Sequence, residues 1–101
     1  MDWKVKKVPR NEVESYTENT RNAWIYTDPK HPEIPVVIEF REYFDNWNDV
    51  LDEVYVVHYD EDAIKNTEFD YDEYEFSGRG SFTKAKAQAV EMLKDIDWYI
   101  D

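Results

Sequence analysis

Carboxylates are the side chains this sequence offers most freely for chemistry. Between Glu39 and Glu75 stand fourteen acids and two bases, Arg41 and Lys65, while the remaining residues hold ten acids and ten bases. The formal charge of −12 therefore falls entirely in the middle third of the chain. Acids at that density can hold a cation, share protons as a catalytic pair, or present a negative surface to a partner. A calcium loop started at Asp60 has Asp62 at its third position, but Ile64 at the fifth and Lys65 where the turn requires glycine. A glycosidase-type pair needs a substrate groove that a chain of 101 residues rarely builds. What remains is an acidic surface whose natural partner is a basic protein.

Other reactive groups are sparse. His31 lies in a proline-rich stretch and His58 in a run of Val and Tyr, and neither has a second His or a Cys at ligand spacing. His58 reads as a strand residue with a satisfied hydrogen bond. The chain has no cysteine, which removes disulfides, thiol chemistry and Cys-ligated zinc. Neither a catalytic set, nor a metal site, nor a cofactor is expected, and the protein reads as a non-enzyme. The glycines at 78 and 80 before Ser81 form a possible anion nest but do not fit the Walker pattern. Lys4, Lys6, Lys7 and Arg10 make a small basic patch, read as the guard of an edge strand or an internal partner for the acids.

The elements that must position these groups follow from periodicity. Asp2 to Val8, Asn22 to Thr27, Val36 to Phe40 and Val54 to Tyr59 are rich in strand formers, and Pro29, Pro32 and Pro35 mark Asp28 to Pro35 as a stiff loop. Arg10 to Thr20 fits a short helix or a loop. From Arg41 to Asp52 a turn of 100° per residue gathers Tyr43, Phe44, Trp47, Val50 and Leu51 on one side. That spacing predicts an amphipathic helix, with Glu42, Asp45, Asp49 and Asp52 as an acidic stripe. Thr67 to Phe76 alternates acid with aromatic, which predicts a strand carrying Glu68, Asp70 and Asp72 on one face and a bulge near Asp72 and Glu73. Phe82, Ala85, Ala89, Leu93 and Ile96 mark the apolar face of a final helix capped by Ser81 or Thr83, its tail of Trp98, Tyr99 and Ile100 packing back on the domain. The sum is one α+β domain over 1–101: a mostly antiparallel sheet of four to five strands, an acidic amphipathic helix and a C-terminal helix.

Alternate strand residues stand roughly 7 Å apart on one side. Glu68, Asp70 and Asp72 would thus form a row of anions at a spacing like that of successive phosphates, with the helix stripe as a second row. Such rows attract a basic nucleic-acid channel as DNA does, and the same surface repels nucleic acid and anionic lipid. The expected partner-binding set is Glu42, Asp45, Asp49, Asp52, Asp60, Glu61, Asp62, Glu68, Asp70, Asp72, Glu73 and Glu75, with Tyr71 and Tyr74 adding contact area.

In charge and size, though in no motif, the chain resembles small acidic phage-encoded inhibitors of restriction, CRISPR and DNA-repair enzymes. That resemblance implies a DNA mimic that blocks a nucleic-acid-handling enzyme. Gly80 to Ala89 is also similar, over a tenth of the chain, to the start of the last helix of double-stranded-RNA-binding domains, where Lys meets phosphate. The acidic body opposes that use. A competing expectation is a structural or regulatory adaptor whose acids only solvate it, or which is adapted to a saline cytoplasm. With no apolar run long enough for a signal peptide or a membrane span, the sequence reads as cytoplasmic.

Overall fold

The computed structural model describes residues 4–8, 19–44, 46, 47 and 49–100. Among these residues five strands, β1 (Lys4–Val8), β2 (Thr20–Asp28), β3 (His31–Phe44), β4 (Val50–Tyr59) and β5 (Tyr74–Ser77), precede one helix, α1 (Ser81–Ile100). The strands pair antiparallel in sequence order, β1-β2-β3-β4-β5. Neighbours in sequence are neighbours in the sheet, as short hairpin connections favour. At Asp28–Pro29–Lys30–His31 the chain reverses while Asp28 Oδ1 accepts the Lys30 N–H at 2.9 Å. Pro32 and Pro35 fall before Val36, where pairing with β4 begins, so their missing N–H groups cost no bond to that strand.

The helix covers one face of the sheet. Tyr26, Val36, Ile38, Val57 and Tyr59 pack there against Ala85, Ala89, Met92, Leu93 and Ile96. Ala85 and Ala89 have no side chain beyond Cβ, which lets α1 lie close to the strands. Tyr59 keeps its ring in this core by donating its hydroxyl to the Met92 carbonyl at 3.1 Å. Burying a side chain such as Ile38 or Leu93 contributes roughly 1.5–3 kcal/mol. Gly78 and Gly80, at φ of 86° and 75°, make the left-handed corner that turns β5 into α1. The opposite face is buried as well: Val37 with Ala23 and Val8 forms a second small cluster.

Four expectations are corrected. Asp28 to Pro35 is not a loop throughout: only Pro29 and Lys30 form the turn, and β3 already runs through Pro32 and Pro35. Arg41 to Asp52 is not a helix: Arg41–Phe44 extends β3, Val50–Asp52 begins β4, and the two strands pair Glu42 with Glu53 and Tyr43 with Asp52. Of the apolar residues on that helical arc, Tyr43 and Phe44 end β3, Trp47 lies in the turn, and Val50 and Leu51 begin β4. Register partners share a sheet face, so Glu42 and Asp52, opposite Glu53 and Tyr43 respectively, point to opposite sides and the acidic stripe dissolves. The sheet also narrows here, because β2 pairing ends at Thr20–Arg41 and β5 pairing at Ser77–Val54. Past the bond from the Glu42 N–H to the Asn19 carbonyl at 3.0 Å, β3 and β4 form a two-stranded arm among the described residues. Thr67 to Phe76 is likewise a strand only from Tyr74 onward, so Glu68, Asp70 and Asp72 ride on an irregular loop. The tail of α1 does not pack back uniformly, since Trp98 is 81% exposed. The short helix or loop expected over Arg10 to Thr20 lies mostly outside the described residues, as do Asp45 and Arg10.

Candidate functional site

Two gatherings of ionisable side chains among the described residues have opposite character. The first is on the sheet face turned away from α1, where Glu39 and Arg41 of β3 lie beside His58 of β4. Glu39 accepts the Thr20 hydroxyl at 2.6 Å, Arg41 Nη2 at 2.7 Å and His58 Nε2 at 2.5 Å. Arg41 Nη2 also reaches Glu73 Oε2 at 3.0 Å, and the Tyr71 hydroxyl donates to that same oxygen at 2.7 Å. The Tyr71 ring lies 5.3 Å from the His58 imidazole.

The other His58 nitrogen, Nδ1, lies 2.8 Å from the Tyr59 carbonyl, so both ring nitrogens face acceptors. Only the imidazolium can donate from both. Burial opposes that charge, but the bond to Glu39 and the Tyr59 carbonyl outweigh it and raise the His58 pKa. Burial also pushes the Glu39 carboxyl upward, yet bonds from His58, Arg41 and Thr20 overcome it and hold the group at about 2. The bond from Arg41 is the main cause that lowers Glu73. Two carboxylates thus meet one guanidinium and one imidazolium, and the network sums to zero. With each His58 nitrogen engaged and Glu39 held by three donors, the network ties β2, β3 and β4 together on this face.

The second place is the loop from Asp60 to Glu73. Asp60 starts it by accepting the N–H groups of Asp62 and Ala63 at 3.0 and 3.2 Å. Ile64 plugs into the core, and Thr67 bonds back to the Ile64 carbonyl at 2.8 Å. Phe69 then lodges between the Tyr59 ring at 5.1 Å and the Tyr99 ring at 5.9 Å. These anchors leave Glu68, Asp70 and Asp72 exposed. Together with Asp95 and the rings of Tyr59, Phe69, Tyr74 and Tyr99 they line an open cleft of about 370 Å³, floored by Gln88 and Met92. Among the described residues no base pairs with any of the four acids.

The remaining sequence-derived site residues divide between these places and the arm. Glu73 belongs to the buried network, and Glu42 is paired with Arg21 at 3.1 Å. Glu61, Asp62 and Glu75 are exposed around the loop and on β5, while Asp49 and Asp52 are exposed on the arm. Tyr71 and Tyr74 are 39% and 42% exposed. Asp52, near the start of β4, and Asp60, just past its end, stand roughly 26 Å apart at ~3.3 Å per residue. Sequence reasoning missed Gln88, Met92, Asp95 and Tyr99. Their steps of four, three and four along α1 put them on one helical face, a signal present in the sequence. Comparison with family models, curated proteins and solved structures returned no match to this chain.

Proposed function

We propose that the protein is a non-enzymatic binding module that offers its unneutralised carboxylates to a basic protein surface, of the kind nucleic-acid-handling enzymes use to grip phosphates, and blocks that surface. The observation that carries this reading is the cleft: four acids without a base among the described residues, set among aromatic rings. A Lys or Arg side chain entering it donates charge-assisted hydrogen bonds to the carboxylates and meets ring faces that attract cations. Asp52 and Glu53, exposed on the arm, supply a second negative contact, so the charge is presented at two stations rather than in continuous rows. Long-range attraction between such surfaces speeds association and weakens as salt screens it.

Capture of partners from a lysate on the immobilised protein, followed by elution in a salt gradient, tests the proposal. The expected partner is a basic protein that elutes as salt rises, that duplex DNA competes away, and that Asp70→Lys/Asp72→Lys does not retain. The adaptor reading is favoured by the exposure of Trp47 (83%), Trp98 (81%) and Tyr99 (66%), large apolar surfaces that suit a salt-tolerant contact. It expects retention at high salt and indifference to the charge reversal.

A further inference from the structure

A separate cluster brings three metal-ligating side chains together where the β2–β3 turn meets the end of α1. Asp28 and His31 are register partners that close the turn, and both are buried. Asp97 reaches them from α1, about 200° around the helix from Asp95 and so away from the cleft. One ligand atom from each of Asp28, His31 and Asp97 lies within 4.8 Å of the others. His31 Nε2 stands 3.6 Å from Asp97 Oδ1. That is too long for a hydrogen bond. Two ligands of one tetrahedral ion, each about 2.0–2.1 Å from it, stand roughly 3.4 Å apart.

Three further features favour a cation at this point. Asp97 Oδ1 is buried yet accepts no hydrogen bond among the described residues, an arrangement that costs free energy unless something else meets the oxygen. The last turn of α1 carries no basic residue, so the negative end of the helix dipole adds to the Asp97 charge instead of being offset. On the far side of the imidazole, Glu33 Oε1 lies 3.7 Å from His31 Nδ1, beyond hydrogen-bond range but adding a third negative charge beside the cluster.

We propose that Asp28, His31 and Asp97 bind one divalent transition-metal ion, with Zn²⁺ as the best match. Two carboxylates and an imidazole suit Zn²⁺ better than Mg²⁺ or Ca²⁺, which favour all-oxygen shells. Three protein ligands leave a position for water. The ion ties the β2–β3 turn to the last turns of α1, two segments far apart in sequence, so its binding stabilises the fold.

The test is titration of the chelator-stripped full chain with ZnCl₂, followed by calorimetry and thermal melting, for the wild type, His31→Gln, Asp97→Asn and the cleft variant Asp70→Asn/Asp72→Asn. Circular dichroism confirms that each variant folds before titration. The expected result is one Zn²⁺ per chain with a rise in Tm, an affinity reduced roughly ten-fold or more in His31→Gln and Asp97→Asn, and wild-type affinity in the cleft variant. Co²⁺ bound in place of Zn²⁺ should show visible absorption bands that His31→Gln changes. Equal Zn²⁺ affinity in wild type and His31→Gln overturns the proposal. So does loss of binding in the cleft variant alone, which would assign the ion to surface acids.

Discussion

Glu39 and Asp70 carry the same functional group in the same acidic third of the chain, and the fold uses them in opposite ways. Glu39 is 1% exposed and bonded to Thr20, Arg41 and His58, whereas Asp70 is exposed on a loop with no base beside it among the described residues. The buried carboxylate belongs to a set of charges that cancel, so its worth lies in the geometry it enforces. The exposed one contributes a field that reaches solvent. A charge count treats both alike, and only the second kind is available to a partner.

The contrast breaks first at Glu39. Glu39→Ala leaves Arg41 and His58 buried without their shared acceptor and is expected to cost about 3–5 kcal/mol, measured by urea denaturation. A fall of less than about 1 kcal/mol would show that the network is an incidental contact.

Acidity sharpens the same point. The folded Glu39 carboxyl sits at about 2, below its ordinary value of 4.5, so its contribution is complete above pH 4.5 and lost as pH falls to about 2. The loss is on the order of 3 kcal/mol. His58 is raised instead, so its contribution is complete below about pH 6.5 and disappears as pH rises through the higher folded value. Urea denaturation across a pH series should show stability falling on both sides, with the alkaline limb flattened in His58→Gln.

A smaller effect is expected where the network reaches the surface. Tyr71→Phe removes the hydroxyl bond to Glu73 and keeps the ring against His58, at a cost of about 1 kcal/mol. The smallest belongs to the cleft: Asp70→Lys/Asp72→Lys should leave stability within about 0.5 kcal/mol of wild type or raise it by relieving repulsion among like charges. Chemical denaturation that showed a large loss there would make these acids part of the scaffold.

How much the sequence disclosed depended on whether local signals agreed. For α1 they did: Ala85, Ala89, Leu93 and Ile96 keep helical spacing after two glycines, and all are buried as that spacing requires. The core of β4 was equally plain in Val54 to Tyr59. Around residue 47 two signals conflicted. Tyr43, Phe44, Trp47, Val50 and Leu51 match a helical arc, but Asn46, Asp49 and their polar neighbours are turn formers, and strand pairing between Glu42 and Glu53 settled the conflict. Pro32 and Pro35 signalled a loop because the absence of a neighbour on one side cannot be seen before the sheet order is known.

The buried network was hidden for a related reason. Thr20, Glu39, Arg41, His58 and Glu73 meet only through the register of three strands and the return of the loop. Half of the cleft was legible, as the acids of the loop. The other half comes from α1, whose Asp95 and Tyr99 stand on a flank of the helix that a core-facing stripe does not reveal.

The affinity of a captured basic partner, measured at rising salt for wild type and for Asp70→Lys/Asp72→Lys, separates the exposed charges from the buried ones. Wild type should bind with an affinity that drops steeply as salt increases, while the double variant, folded and as stable as wild type, should fail to bind at any salt. Full affinity in the variant, or an affinity in wild type that salt leaves unchanged, would contradict a role for the cleft acids in recognition.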